Sequence, residues 1–182
     1  GIDLVDSMLP IYFGRPNTWG RRYANLIIQQ ADLIISIGSR LGLQQTGFNW
    51  TEFGKNAHKI MVDIDEDELS KENPKVHTKI NSESNIFLNY LFSLNFKFSQ
   101  DNWIKYCKQI KTNFPLNEAS NVTRNGYIDP YLFSLVLSQK VKSTDVIIPC
   151  SSGSANTTLQ QSFLQKKGQI VMNTKGMASM GY

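Results

Sequence analysis

The sequence predicts an α/β protein in which parallel sheets are flanked by helices, and three observations carry that prediction. Short apolar, β-branched runs occur at residues 31–37 and 59–64, helical segments lie between them, and each run delivers polar residues at its end. Gly38, Ser39 and Arg40 follow the first run, and Asp63 and Asp65 close the second. Runs of this composition belong to strands buried on both faces. Ligands of such sheets sit at the carboxyl ends of the strands, which makes Gly38, Arg40, Asp63 and Asp65 candidate contacts for a nucleotide.

Taken in order, residues 1–17 read as irregular, broken by Pro10, Gly14 and Pro16. Residues 18–30 read as a helix with Thr18 as N-cap and with Tyr23, Ile27 and Leu26 turned to the sheet. Its start, preceded by Gly, Pro and Asn, can present N–H groups to an anion or simply cap the helix against its own sheet. Residues 41–47 read as a polar loop and 50–57 as a short helix before the second strand. Asp65 to Glu68 open a further helical turn, where acidic residues suit the positive end of the helix dipole and are expected to be solvated. Asp63 stands apart, because a carboxylate closing a buried strand is placed to accept hydrogen bonds from ribose hydroxyls. A third strand is expected over 76–81, then an amphipathic helix from Ser84 to about Phe96 burying Ile86, Phe87, Tyr90, Leu91 and Leu94. Another helix runs from Asp101, its cap, to Asn113 before Pro115.

The breaker-rich stretch 115–126 marks a boundary, giving one unit over 1–96, a helix and linker over 97–126, and a second unit over 127–182. Asp129 and Pro130 form a cap and first-turn pair for a helix to Lys140. A strand at 145–150, a small-residue turn at 151–156, a helix at 157–165 and a strand at 169–173 then repeat the pattern of the first unit, ending in a Gly- and Met-rich loop.

Composition excludes several classes. The 182 residues are 41% hydrophobic, ordinary for a soluble globular chain. A net charge of +4 comes from scattered lysines and arginines, the densest being Arg21-Arg22 and Lys166-Lys167, so no nucleic-acid surface is read from it. Cys107 and Cys150 lie far apart without a partner motif, which argues against a disulfide framework or zinc site and for a reduced, cytoplasmic setting. No run reaches the length that spans a bilayer and no signal peptide is visible, so no membrane partner is expected and the sequons at Asn49, Asn121 and Asn156 read as chance. The chain opens at Gly1 without a methionine and closes just after the glycine-rich loop, from which a piece of a longer protein is expected.

The ordered set Tyr23-Ala-Asn25, Ala31 to Arg40, Thr46-Gly47, Val62-Asp-Ile-Asp65, the Ser-Ser-Gly turn at 151–153 and Gly176-Met-Ala-Ser-Met-Gly-Tyr182 resembles the thiamine diphosphate-dependent acetolactate synthase family. The resemblance spans nearly the whole chain in the family's order. It implies a Rossmann-like central domain followed by the beginning of the thiamine diphosphate-binding α/β domain. It also implies decarboxylation of a 2-oxo acid such as pyruvate, transfer of the two-carbon unit to a second carbonyl, and a homo-oligomer, dimer or tetramer, whose cofactor sites form between subunits. Thiamine diphosphate and magnesium are the implied cofactors. On that template Ser152, Gly153 and Ser154 lie at the diphosphate, Gly176 and Ala178 approach the pyrimidine ring, and Met180 supports the bent cofactor. The catalytic glutamate and the metal ligands fall outside the matched residues, so no catalytic or metal role is assigned in this chain and the piece by itself is expected to be inactive.

The family's central domain carries FAD in true acetolactate synthases, and related enzymes bind ADP there. Matching positions here are Trp19, Gly20, Gly38, Ser39, Arg40 and Asp63. The sequence departs from the family pattern at Ser154 and Ala155, where a glutamine and a histidine are usual, and at Gly42, Gln44 and Asn81, where charged residues are usual. The segments Tyr12 to Gly20 and Gln45 to Asn49 are similar to acetolactate synthase-like proteins of surface polysaccharide synthesis, which implies a keto sugar as an alternative acceptor. From Gly38, Arg40 and Asp63 alone, a non-catalytic nucleotide-binding module is the other reading.

Overall fold

The computed structural model describes residues 1–96, 99–149, 153–174 and 176–178. Two compact units are present. One comprises Pro16–Thr18 and Asn25–Ile110; the other comprises Gly1–Arg15, Trp19–Ala24 and Lys111–Tyr182.

Helix α1 covers Arg22–Gln30 and strand β1 covers Leu33–Ile37. The helix begins four residues after Thr18, whose amide and hydroxyl both donate to the Gln44 carbonyl, at 2.7 and 2.8 Å, and so tie it to the loop before α2 instead of to the start of α1. Tyr23 and Ile27 are buried as expected, whereas Leu26 is exposed. After β1 the chain forms a short helix α2, Leu43–Thr46, where the sequence suggested only a loop, and a single 3₁₀ turn at Trp50–Glu52 in place of the helix expected over 50–57. Strand β2, His58–Asp63, then pairs in parallel with β1, Ile37 opposite Val62. Helix α3, Glu66–Ser70, is capped by Asp65, whose carboxylate accepts the amides of Asp67 and Glu68. Strand β3, Thr78–Asn81, completes a three-stranded parallel sheet in the order β1-β2-β3.

Ile34, Leu41, Phe53, Ala57, Met61 and Leu69 form the core on one face of this sheet. On β1 the burial alternates: Ile34 and Ser36 are buried while Leu33 and Ile35 are exposed, so this strand is covered on one side rather than both. The open side forms a groove of about 730 Å³ lined by residues 30–33, Ile35 and residues 99–103. Helix α4, Ser84–Ser93, buries Phe87 alone of its expected stripe; Ile86, Tyr90 and Leu94 are exposed. Helix α5 spans Asp101–Asn113 as expected, but Ile104 bonds the carbonyl of Gln100, so Gln100 takes the cap position and Asp101 lies in the first turn.

In the other unit helix α6, Pro130–Lys140, opens as its sequence requires: Asp129 accepts the amides of Tyr131 and Leu132 and Pro130 fills the first turn, where its missing N–H costs nothing. Strand β4, Val146–Ile147, and strand β5, Ile170–Val171, pair in parallel around helix α7, Gly153–Ser162. Both strands are shorter than expected. The helix begins at Gly153, four residues before the start read from the sequence, so most of the supposed turn over 151–156 is already helical. Ile147, Leu159, Phe163 and Val171 form the core here, with Ile2, Leu137 and Val141 packed against it.

Candidate functional site

Gly38, Ser39, Arg40 and Asp63 come together at the carboxyl ends of β1 and β2. The Gly38 amide donates to the Val62 carbonyl at 2.8 Å, its φ is +58°, and a Cβ there would lie 2.9 Å from Ser84 Oγ, so only glycine fits this turn without a shift. Ser39 Oγ bonds Ser36 Oγ at 2.7 Å. Arg40 and Leu41 both hold positive φ, 59° and 46°, a left-handed pair that costs a residue with a Cβ about 1–2 kcal/mol each. Asp63 closes β2, is buried, and uses Oδ1 to accept the Asp65 amide at 3.2 Å. One carboxylate oxygen remains for an incoming hydroxyl.

The acidic run after β2 divides in two. Glu66 and Asp67 are exposed at the start of α3, as a solvated cap should be. Glu68 instead turns back toward the strand ends, with Oε1 2.7 Å from Arg40 Nε and Oε2 2.5 Å from Lys71 Nζ. Lys71 and then Arg40 hold its carboxyl below the usual carboxylate range, against desolvation that acts in the opposite direction. Lys71 Nζ also donates to the Arg40 carbonyl. The guanidinium read as a nucleotide contact therefore has its Nε engaged by an internal carboxylate. Nothing in the local sequence reveals this, because Arg40 and Glu68 are joined only by the fold.

In the same unit a cleft of about 230 Å³ is lined by Asn17, Asn25, Gln29, Gln45 and Gly47, among others. Its amides are turned to backbone: Asn25 Nδ2 to the Asn17 carbonyl at 3.0 Å, Gln45 Nε2 to the Pro16 carbonyl at 2.7 Å, and Gln29 Oε1 from the Gly54 amide at 2.7 Å. Trp19 and Gly20 belong to the other unit, where the Gly20 carbonyl accepts Gln161 Nε2 at 3.3 Å.

Of the residues matched to thiamine diphosphate, Gly153, Ser154, Gly176 and Ala178 are described, and Ser152 and Met180 lie outside the described residues. Gly153, with φ +72° and open space where a Cβ would stand, begins α7, and Gly153, Ser154 and Ala155 are all exposed. The first N–H groups of a helix have no partner within it, so this end can receive an anion. Ala155 and Thr158 also line an apolar groove of about 450 Å³ with Phe133, Leu137, Ile148 and Pro149. In the later loop the amides of Met177 and Ala178 both bond the Thr174 carbonyl, at 2.9 and 2.8 Å, and Ala178 holds φ +51°. Among the described residues, a Cβ at Gly176 would meet nothing and the buried Thr174 Oγ1 has no hydrogen-bond partner. An open glycine beside an orphaned hydroxyl is a place that a polar ring can approach closely. Among the described residues no three His, Cys, Asp or Glu side chains group as metal ligands, and no helix is long and apolar enough to cross a membrane.

Comparison with known proteins adds sequence-wide findings. Residues 1–91, half of the chain, match the family described as the thiamine pyrophosphate enzyme, central domain. The chain is 22% identical over 185 residues to acetolactate synthase isozyme 2 large subunit of Escherichia coli (strain K12), a match covering 100% of this chain and 32% of that protein. It is 27% identical over 169 residues to acetolactate synthase 1, chloroplastic, of Zea mays, covering 90% of this chain and 26% of that one. A third relative, the acetolactate synthase large subunit of Cyanidium caldarium, is 40% identical over 62 residues, 34% of this chain and 10% of its own. The chain thus spans about a third or less of the relatives it matches. With a parallel α/β unit in the matched region and an ordered likeness running beyond it, the chain belongs to the thiamine pyrophosphate enzyme family, whose central domain its first 91 residues match.

Proposed function

We propose that the full-length protein is an acetolactate synthase-like enzyme that uses thiamine diphosphate to decarboxylate a 2-oxo acid, pyruvate first, and transfers the two-carbon unit to a second carbonyl. The observation that carries this reading is the reach of the acetolactate synthase matches, which cover 100% and 90% of the chain and so include the β4–α7–β5 region as well as the central domain. When bound, the cofactor supplies the electron sink that makes loss of carbon dioxide from a 2-oxo acid possible.

The residues of this chain bind and orient. Gly153 and Ser154, with Ser152, hold the diphosphate by the free N–H groups and hydroxyls at the start of α7. Gly176 and Ala178 would approach the ring, and Met180 keeps the role that the resemblance gives it. Magnesium accompanies the diphosphate, and neither a metal ligand nor a catalytic acid or base is assigned here. Gly38, Ser39, Arg40 and Asp63 form an adenine-nucleotide site for FAD or ADP, Asp63 taking ribose hydroxyls. The enzyme works as a cytoplasmic homo-oligomer.

The test is the full-length protein with thiamine diphosphate, magnesium and pyruvate, offered a second 2-oxo acid in one arm and a keto sugar in another. Carbon dioxide release is expected, and the arm that yields a coupled product identifies the acceptor. No release with any carbonyl acceptor would refute the reading. Binding of an adenine nucleotide without thiamine diphosphate would support a nucleotide-binding module instead. The 182-residue chain alone is expected to show no turnover.

A further inference from the structure

The carboxyl end of α7 is closed in an unusual way. The last carbonyls of a helix have no partner within it and are commonly satisfied by a glycine-based turn. Here the residues after Ser162 are Phe163 and Leu164, and no glycine follows until Gly168. Two arginines from the start of the chain take the carbonyls instead. Arg15 Nε donates to the Gln160 carbonyl at 2.9 Å, Nη2 donates to the same oxygen and to the Phe163 carbonyl at 3.1 Å, and Nη1 donates to Gln165 Oε1 at 2.7 Å and to the Tyr12 hydroxyl at 3.0 Å. Arg21 Nε donates to the Gln161 carbonyl, Nη2 to the Ser162 and Phe163 carbonyls at 3.4 and 3.5 Å, and Nη1 to the Tyr23 hydroxyl.

The electrostatics agree with this role. Arg21 is buried, and burial lowers the Arg15 pKa to about 10. Among the described residues neither arginine has a carboxylate partner, so their positive charges are set against the negative end of the helix dipole. Lys111, 5.9 Å from the centre of the Tyr23 ring and 3.3 Å from the Tyr12 carbonyl, adds a third cation to the same side. Nearly every guanidinium hydrogen has a partner, so the pair is a fastening and not a free anion site.

The opposite end of this helix carries Gly153 and Ser154, which are exposed and, among the described residues, have no comparable side-chain fastening. A rigid helix of 10 residues is about 15 Å long, so a tilt of about 4° at one end moves the other by about 1 Å. Displacements of that size decide whether a bound group is held in a productive geometry.

We propose that Arg15 and Arg21 are positioning residues for the cofactor: by fixing the carboxyl end of α7 with two guanidinium forks, they set where Gly153 and Ser154 meet the diphosphate. This rests on the assignment of the α7 amino end to thiamine diphosphate made above. Both arginines act through α7 and touch neither cofactor nor substrate.

The experiment titrates thiamine diphosphate, with magnesium, into the full-length wild-type protein and its Arg15→Lys, Arg21→Lys and Arg21→Ala variants, following intrinsic fluorescence, and measures turnover at saturating cofactor. Supporting residues that orient a ligand shell are worth roughly tenfold or more in affinity, so Arg21→Ala should raise the cofactor Kd about tenfold and the lysine variants, which keep charge but lose the fork, by several-fold. Turnover at saturating cofactor should also fall, because a displaced diphosphate is held less productively, and amide exchange should quicken over 153–163. A fastening that only stabilises the fold would lower Tm in all three variants with the cofactor Kd unchanged, and that result overturns the proposal. If Arg21→Ala fails to fold, the two lysine variants decide it. Failure of the wild-type protein to bind thiamine diphosphate would overturn the function above and this inference with it, whereas wild-type binding with unaltered variants overturns this inference alone.

Discussion

Gly54 is a junction in the β1–β3 unit, and replacing it by alanine gives the sharpest test of that core. Its amide donates to Gln29 Oε1 at 2.7 Å and its carbonyl accepts the buried Lys59 Nζ at 2.6 Å, so the turn cannot move without disturbing α1 and β2. Its φ is +49°, and a Cβ would stand 2.4 Å from Ile34 Cδ1. The left-handed conformation costs alanine about 1–2 kcal/mol. The clash adds about 1 kcal/mol, at the low end for overpacking because Cδ1 is a side-chain tip, yet not zero because Ile34 sits in the cluster with Leu41, Phe53 and Met61. A more restricted unfolded chain returns roughly 0.5 kcal/mol, leaving a net loss of about 2 kcal/mol for Gly54→Ala. Ile34→Val removes Cδ1, so in that background the same substitution should cost about 1 kcal/mol less. Urea titrations read by tryptophan fluorescence supply both legs of this cycle, Trp50 and Trp103 lying in the same unit. Equal penalties in the two backgrounds would show that Ile34 does not confine this turn, and a total loss near zero would refute the geometry altogether.

Three further outcomes are expected. Asp129→Ala should destabilise α6 by about 1–2 kcal/mol in denaturant titration while Asp129→Asn costs little, because the cap bonds to Tyr131 and Leu132 need only a side-chain oxygen. His77 Nδ1 accepts the Lys59 amide at 3.0 Å, which requires the neutral ring, and desolvation followed by the charges of His58, Lys59 and Lys75 lowers its pKa. The folded protein therefore binds this proton less readily than the unfolded chain: the contribution is full above the unfolded value of about 6.5 and is lost as pH falls through the lower folded value. Proton NMR should place His77 below 6.5 and His58→Gln should raise it, whereas a titration at or above about 6.5 contradicts the contact. Cys107 is fully buried and burial raises its thiol pKa, so iodoacetamide should leave it unmodified in native protein and label it in urea; peptide mapping that finds native labelling at a free thiol's rate would count against the packing of α5.

Much of this architecture was legible locally. The β-branched runs produced β1 and β2 in parallel, and Asp65 and Asp129 cap helices as their side chains require. What local reading missed depends on distance along the chain. The α4 periodicity is real, but amphipathicity states which face is apolar and not how wide a surface is available to cover it, so Tyr90 and Ile86 remain exposed. Thr18 was read as a cap because its residue type fits, yet its amide and hydroxyl are held by the Gln44 carbonyl, 26 residues away, and the helix starts only at Arg22. The Arg15 and Arg21 contacts to α7 span about 140 residues and have no periodic signature at all. A Gly-Arg pair after a strand suggests an anion site, and only the fold shows that Glu68 meets the arginine first.

That last contact bears on what the end of β1 can hold. Three residues in four there have positive φ, Gly38, Arg40 and Leu41, and two of them carry a side chain. Burial of Leu41, 4% exposed, contributes about 1.5–3 kcal/mol and offsets much of the strain, while Lys71 pins the Arg40 carbonyl. Strain held in this way by its surroundings is a mark of functional turns, which agrees with a ligand at these strand ends. The nature of that ligand is constrained as well. A phosphate reaching Arg40 meets a guanidinium whose Nε is already held by Glu68, leaving the exposed Nη groups to receive it, so part of the charge is already compensated and the gain is smaller. The buried carboxylate of Asp63 and the glycine turn at Gly38 face no such competitor. Affinity for an adenine nucleotide at this edge would therefore come chiefly from its ribose and base, with the phosphates adding the smaller share.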